Sequence, residues 1–303
     1  MTFKPGLVHT PLTPFASDRR IDFDRYGRSI EFHLRHGAQA LAVPMHVGES
    51  VSLPDAEKRE LVTFAVRTAA KRAPVIAHVS DAGTGIAAAL ARHAEAAGAA
   101  AIVATTPYYW TPPQVMILEH FFQIGAAVEI PFFVLNAPDD MAGIKINADL
   151  AMKLIARLSN FAGVIDASLD WQFMIELLTE AARVRPYFKL VAGTELMVSA
   201  GAVGATGMFS ALAVITPKLV RQLFDLCRQQ KLFEARTVQE EIAALRQILK
   251  PGGIAALKVA ARGLGRDYGN PRPPLLPLDA VAERKLLAAI EALPALAAEP
   301  RDW

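Results

Sequence analysis

The seven histidines of this chain are its most adaptable acid–base groups near neutral pH, and their positions separate them. His46 stands just past an apolar run and just before Gly48, where a turn should leave a strand. A neutral imidazole there could act as a general acid or base. An apolar wall beside it would favour that neutral form by desolvation. His9 and His78 lie inside apolar runs and read as core histidines, while His33, His36, His93 and His120 fall on helix surfaces or ends. Other run ends offer Thr10, Glu49, Tyr109, Asn136 and Glu195, groups that orient, donate to or accept from a polar ligand. His46, His78, Asp81 and Glu195 are also of the types that hold a divalent ion. No H-x-H or H-E-x-x-H spacing supports that reading, and no metal is expected.

These residues need a scaffold, and the scaffold is legible as a rhythm. Strand-like apolar runs recur at residues 7–12, 40–44, 75–79, 101–104, 132–135, 163–165, 189–192 and 207–209. Continuous apolar runs suit strands buried on both faces of a parallel sheet. Helical patterns fill the gaps, opened by groups such as Asp22 and closed by Gly37 and Gly98. Eight such alternations predict an α/β chain folded as a (β/α)8 TIM barrel over residues 1–216. Residues 217–303 carry only helical patterns and a proline-rich connector, which predicts a C-terminal helical domain. In a barrel, function gathers at the C-terminal strand ends, where the residues named above fall.

Bulk properties exclude several classes. The chain has 303 residues, 52% hydrophobic and 20% charged, with a net charge of +2. That is globular, without the basic excess that nucleic acid would call for. One cysteine, Cys227, precludes an internal disulfide and suits a reducing compartment. No signal peptide or membrane-spanning run is read, so a cytoplasmic location is expected. No dinucleotide fingerprint or phosphate loop occurs, and no cofactor is expected.

Seven segments in order carry a resemblance. They are GLVHTPLTPF from Gly6, Val47–Gly48–Glu49–Ser50, Thr106–Pro107–Tyr108–Tyr109, Asn136–Ala137–Pro138, GVIDAS from Gly163, VAGTE from Val191 with GMFS from Gly207, and RPPLLPL from Arg272. Together they resemble the dihydrodipicolinate synthase / N-acetylneuraminate lyase superfamily over nearly the whole chain. The resemblance implies a TIM barrel, a homotetramer or homodimer, and a lysine on strand six that forms an imine with a 2-oxo acid. It also implies a substrate pocket around Thr10, Val47, Gly48, Glu49, Leu135, Asn136, Ile165, Gly193, Glu195 and Phe209.

The chain departs from the pattern where the chemistry would be. Ile165 stands at the imine-forming lysine, Leu135 at the proton-relay tyrosine, and His46–Val47 at the paired threonines. Of that relay only Tyr109 remains. Two readings follow. One is a lyase-like enzyme (aldolase, hydratase or dehydratase) on a small oxo or hydroxy acid, working without an imine. There His46 is the acid/base, Tyr109 a second proton donor, and Glu195 and Asn136 orient the substrate. The other is a catalytically inactive ligand-binding or regulatory homologue.

Overall fold

The computed structural model describes residues 3, 5–108, 110–139 and 144–303. Eight parallel strands close on themselves in sequence order. They are β1 (Leu7–His9), β2 (Ala40–Val43), β3 (Val75–His78), β4 (Ala101–Thr105), β5 (Phe132–Asn136), β6 (Phe161–Asp166), β7 (Lys189–Ala192) and β8 (Gly207–Ser210). Between them run α1 (Phe23–Arg35), α2 (Asp55–Ala69), α3 (Thr84–Ala96), α4 (Gln114–Gly125), α5 (Ala148–Arg157), α6 (Trp171–Val184) and α7 (Met197–Ala202). After β8 come α8 (Pro217–Arg228), α9 (Leu232–Leu249), α10 (Gly253–Gly263) and α11 (Ala280–Glu291). This is the expected TIM barrel followed by helices. Among the described residues no helix is long and apolar enough to cross a membrane.

The strands are apolar throughout because both of their faces are buried. Val8, Ala42, Ile76, Val103, Phe133, Ile165, Val191 and Phe209 point inward and fill the lumen. Leu7, Leu41, Ala77, Ile102, Val134, Val164, Leu190 and Met208 point outward into the layer shared with the helices. Bulky Phe133 and Phe209 share the lumen with Ala40, Ala42 and Ala101. Small partners leave room for large ones at close-packed density.

One strand breaks the simple alternation. The β5–β6 register slips between Phe132 and Phe133, so that Phe132 faces Phe161 but Phe133 faces Gly163. Ala162 is the extra residue. A bulge of this kind re-aims everything beyond it, and Ile165 therefore points into the lumen. Gly163 is needed there, since a Cβ would sit 2.3 Å from the Lys189 carbonyl oxygen.

Helix starts follow local chemistry. Asp22, Asn147, Asp170 and Asp279 cap α1, α5, α6 and α11 by accepting backbone N–H groups. Behind β1, His9 and His33 meet Nδ1 to Nδ1 at 3.1 Å, fully buried. Burial pushes the His9 imidazole down to about 3, helped by the nearby charges of His36 and Arg221. Burial, then His9 and Arg266, holds His33 well below the ordinary range. Burial likewise takes His78 and His120 down to about 4.

All four rings are thus neutral when folded but take up protons when unfolded below their ordinary value of 6.5. Stability is complete above that pH and falls as the pH drops. At pH 5 the loss should approach about 2 kcal/mol for each such histidine. Urea denaturation between pH 7 and pH 5 measures it. A flat profile there would contradict the four buried neutral rings.

Candidate active site

A cavity of about 150 Å3 opens at the C-terminal mouth of the barrel. Its walls follow from the strand alternation. Thr10 is two residues beyond lumen-facing Val8, Ala137 two beyond Leu135, and Ala167 two beyond Ile165. Gly193 is two beyond Val191, and Ala211 two beyond Phe209. The cavity is therefore one layer of inward positions above the packed lumen, and Ile165 (1% exposed) belongs to the layer below it.

Three ionisable side chains reach this cavity among the described residues: His46, Glu195 and Arg246. His46 opens a 3-10 turn, His46–Gly48, that leaves β2. The turn lifts its ring to the exposed rim, beside half-buried Val47. This corrects the expectation of an apolar wall around the imidazole.

Glu195 is buried to 1%, but its carboxylate is committed. Ser210 Oγ and the Leu212 N–H both donate to Oε1 at 2.9 Å, and Arg246 Nη1 donates to Oε2 at 2.6 Å. Glu195 thus orients Arg246, a residue the motif reading missed because it lies on α9, far along the chain. One of the five guanidinium donors is used in that contact, and the Arg246 side chain is 40% exposed at the cavity edge. The Thr10 hydroxyl donates to the Ser210 carbonyl at 3.0 Å, leaving its oxygen as an acceptor toward the cavity.

The other sequence candidates divide. Leu135 and Phe209 line the cavity as apolar wall. Gly193 lines it where a Cβ would come within 2.8 Å of Ala167 Cβ. Asn136 is one position out of phase with the lumen, and its side chain is engaged within the protein. Its Nδ2 donates to Asp166 at 2.6 Å and its Oδ1 accepts the Ile146 N–H, tying β5 to β6 and to the following loop. Burial raises Asp166 above the usual carboxylate range, and donors from Asn136 and Ser168 oppose the rise.

Gly48 and Glu49 also make contacts within the protein. The Gly48 carbonyl accepts from Thr13 Oγ1 at 2.7 Å. Glu49, in left-handed backbone at φ 60°, meets buried Lys258 Nζ at 2.6 Å and accepts the Arg272 N–H at 2.7 Å. Burial pulls the Lys258 ammonium down, and Glu49 pulls it back up.

Tyr109 lies outside the described residues. His78 accepts or donates at 2.7 Å with Ser80 Oγ, as a satisfied core histidine does. Asp81 pairs with Lys58 at 3.5 Å, so the four suggested metal ligands do not converge. Among the described residues no group of three or more such side chains could hold a metal.

The comparisons with known proteins bear on this geometry. A family model described as the dihydrodipicolinate synthetase family matches residues 4–293. A 4-hydroxy-tetrahydrodipicolinate synthase of Caldicellulosiruptor bescii is 31% identical over 266 residues, covering 87% of this chain and 88% of the relative. A dihydrodipicolinate synthase from Bacillus anthracis superposes with a TM-score of 0.90 at 25% identity, over 97% of this chain and all of that one. A chloride-inhibited dihydrodipicolinate synthase from Acinetobacter baumannii, complexed with pyruvate, gives 0.87 at 26% identity, over 95% and 98%.

The Glu195–Arg246 pair predicts an asymmetry. Arg246→Ala strands a buried carboxylate and should cost about 1–3 kcal/mol in urea denaturation. Glu195→Gln should cost less, because the partly exposed Arg246 guanidinium can hydrate. Equal costs, or the reverse order, would contradict the arrangement.

Proposed function

The chain belongs to the dihydrodipicolinate synthetase family, and from that premise we propose a lyase-type enzyme acting on a small oxo or hydroxy acid without a lysine imine. The carrying observation is the composition of the lumen below the cavity. The inward position of β6 is Ile165, packed against other apolar side chains. The lysine that the family resemblance implies on that strand is not in its sequence. A 2-oxo acid is the fitting ligand class, since pyruvate is bound by the Acinetobacter relative.

Without an imine, the substrate carbonyl must itself accept the electron pair. His46 removes a proton from the carbon beside the carbonyl. The C–H pair becomes a carbon–carbon double bond, and the carbonyl π pair moves to oxygen. The Arg246 guanidinium stabilises that developing charge. The resulting enolate adds to an aldehyde, or expels a leaving group one carbon further along. Leu135, Ala137 and Phe209 give the cavity an apolar wall on one side of the reacting carbon.

The enolisation half-reaction tests this before the full substrate is known. Wild-type protein should catalyse deuterium exchange at C3 of 2-oxobutanoate in heavy water, followed by NMR. His46→Ala should lower the exchange rate at least about 100-fold, with an unchanged circular dichroism spectrum. Full exchange in that variant would sink the role of His46. Binding of the acid without exchange in the wild type would favour an inactive ligand-binding homologue.

A further inference from the structure

The cavity is too small to hold a metabolite of ordinary size by itself. At about 150 Å3 it falls below the 300–1,000 Å3 typical of ligand sites. It shares His46, Val47 and Arg246 with a second, larger cavity of about 630 Å3. This outer vestibule lies between the loops at the barrel mouth and the α9–α10 corner. Its lining is largely apolar, with Leu169, Leu196 and Leu212 from the mouth loops and Ile254 and Leu257 from α10. Leu169 is 44% exposed, an aliphatic side chain left facing solvent.

The charges are not spread evenly. Arg246 stands at the junction of the two spaces, and Lys250, one turn further along the chain, lines the vestibule. Asp139 is the one carboxylate on that lining among the described residues. A ligand that fits both spaces carries its anionic group at the junction and an apolar body beyond it.

We infer that the natural substrate is an acid with an aryl or branched alkyl body. The acid head sits in the inner cavity near Arg246, and the body lies along the leucine wall of the vestibule. This rests on the small-acid reading above and extends it to the substrate class. Leu169 is then a specificity-determining residue: it touches the apolar body and not the reacting carbons.

A matched set of probes tests it by titration calorimetry on the intact protein. 2-Oxobutanoate has the acid head alone, and 4-phenyl-2-oxobutanoate adds a phenyl ring to the same head. 4-Phenylbutan-2-one keeps the ring and the ketone but lacks the carboxylate. The phenyl acid should bind at least tenfold more tightly than 2-oxobutanoate, and the ketone at least tenfold more weakly than the phenyl acid.

In Leu169→Asn the preference for the phenyl acid should shrink at least threefold, with 2-oxobutanoate binding unchanged. Leu169 has φ 59°, a region asparagine tolerates, so the variant should fold. Equal affinity for the two acids overturns the inference while leaving the small-acid reading intact. A ketone that binds as well as the acid overturns the cationic junction. Failure of both acids to bind overturns the inference together with the reading beneath it.

Discussion

A strand in a closed barrel must send alternate side chains into the lumen, and a slip of one residue exchanges the two faces. The strand-borne walls of the site depend on that alternation. Thr10, Leu135, Ala167, Gly193 and Phe209 reach the cavity because they share the inward phase. Asn136 and Asp166 are one step out of phase and bond to each other behind the wall. The bulge at Ala162 sets the phase of β6. Without it, Ile165 would face the helices and Asp166 would enter the lumen.

The charges at the mouth are held by the segments after the barrel. Glu49 grips Lys258 on α10 and the backbone of Arg272, and Arg272 in turn pairs with Glu57 on α2. These contacts fasten the C-terminal connector to the loop after β2. Glu195 reaches out to Arg246 on α9. A buried ion pair contributes little net stability. What it provides here is position: the guanidinium is held at the cavity edge with donors to spare. The two family-like glutamates therefore act as anchors for cations, and the cation at 246 is the group that can meet an acid.

The fold was almost entirely legible. The apolar runs and the capping aspartates placed strands and helices to within a few residues, because a parallel barrel buries both strand faces and leaves a distinctive rhythm. The site was legible only where alternation applies. Counting inward positions separates Leu135 from Asn136. The bulge could not be seen, since Ala162 looks like any other residue of an apolar run. Arg246 was hidden for a different reason. It lies on an 18-residue helix among other charged side chains, and nothing local marks which of them turns toward a cavity formed by distant loops. Gly48 marked a turn after β2, but nothing in His46–Val47–Gly48 marks it as a 3-10 turn that carries the His46 ring to the exposed rim.

On the proposed function, a 2-oxo acid is held at the barrel mouth by non-covalent contacts above an apolar lumen. A crystal structure of the protein soaked with 4-phenyl-2-oxobutanoate tests it most directly. Density for the intact acid is expected between His46, Val47 and Arg246, separate from every protein atom, with the phenyl ring against the leucines of the vestibule. Density continuous with a lysine Nζ, or a ligand bound away from Arg246, would contradict it.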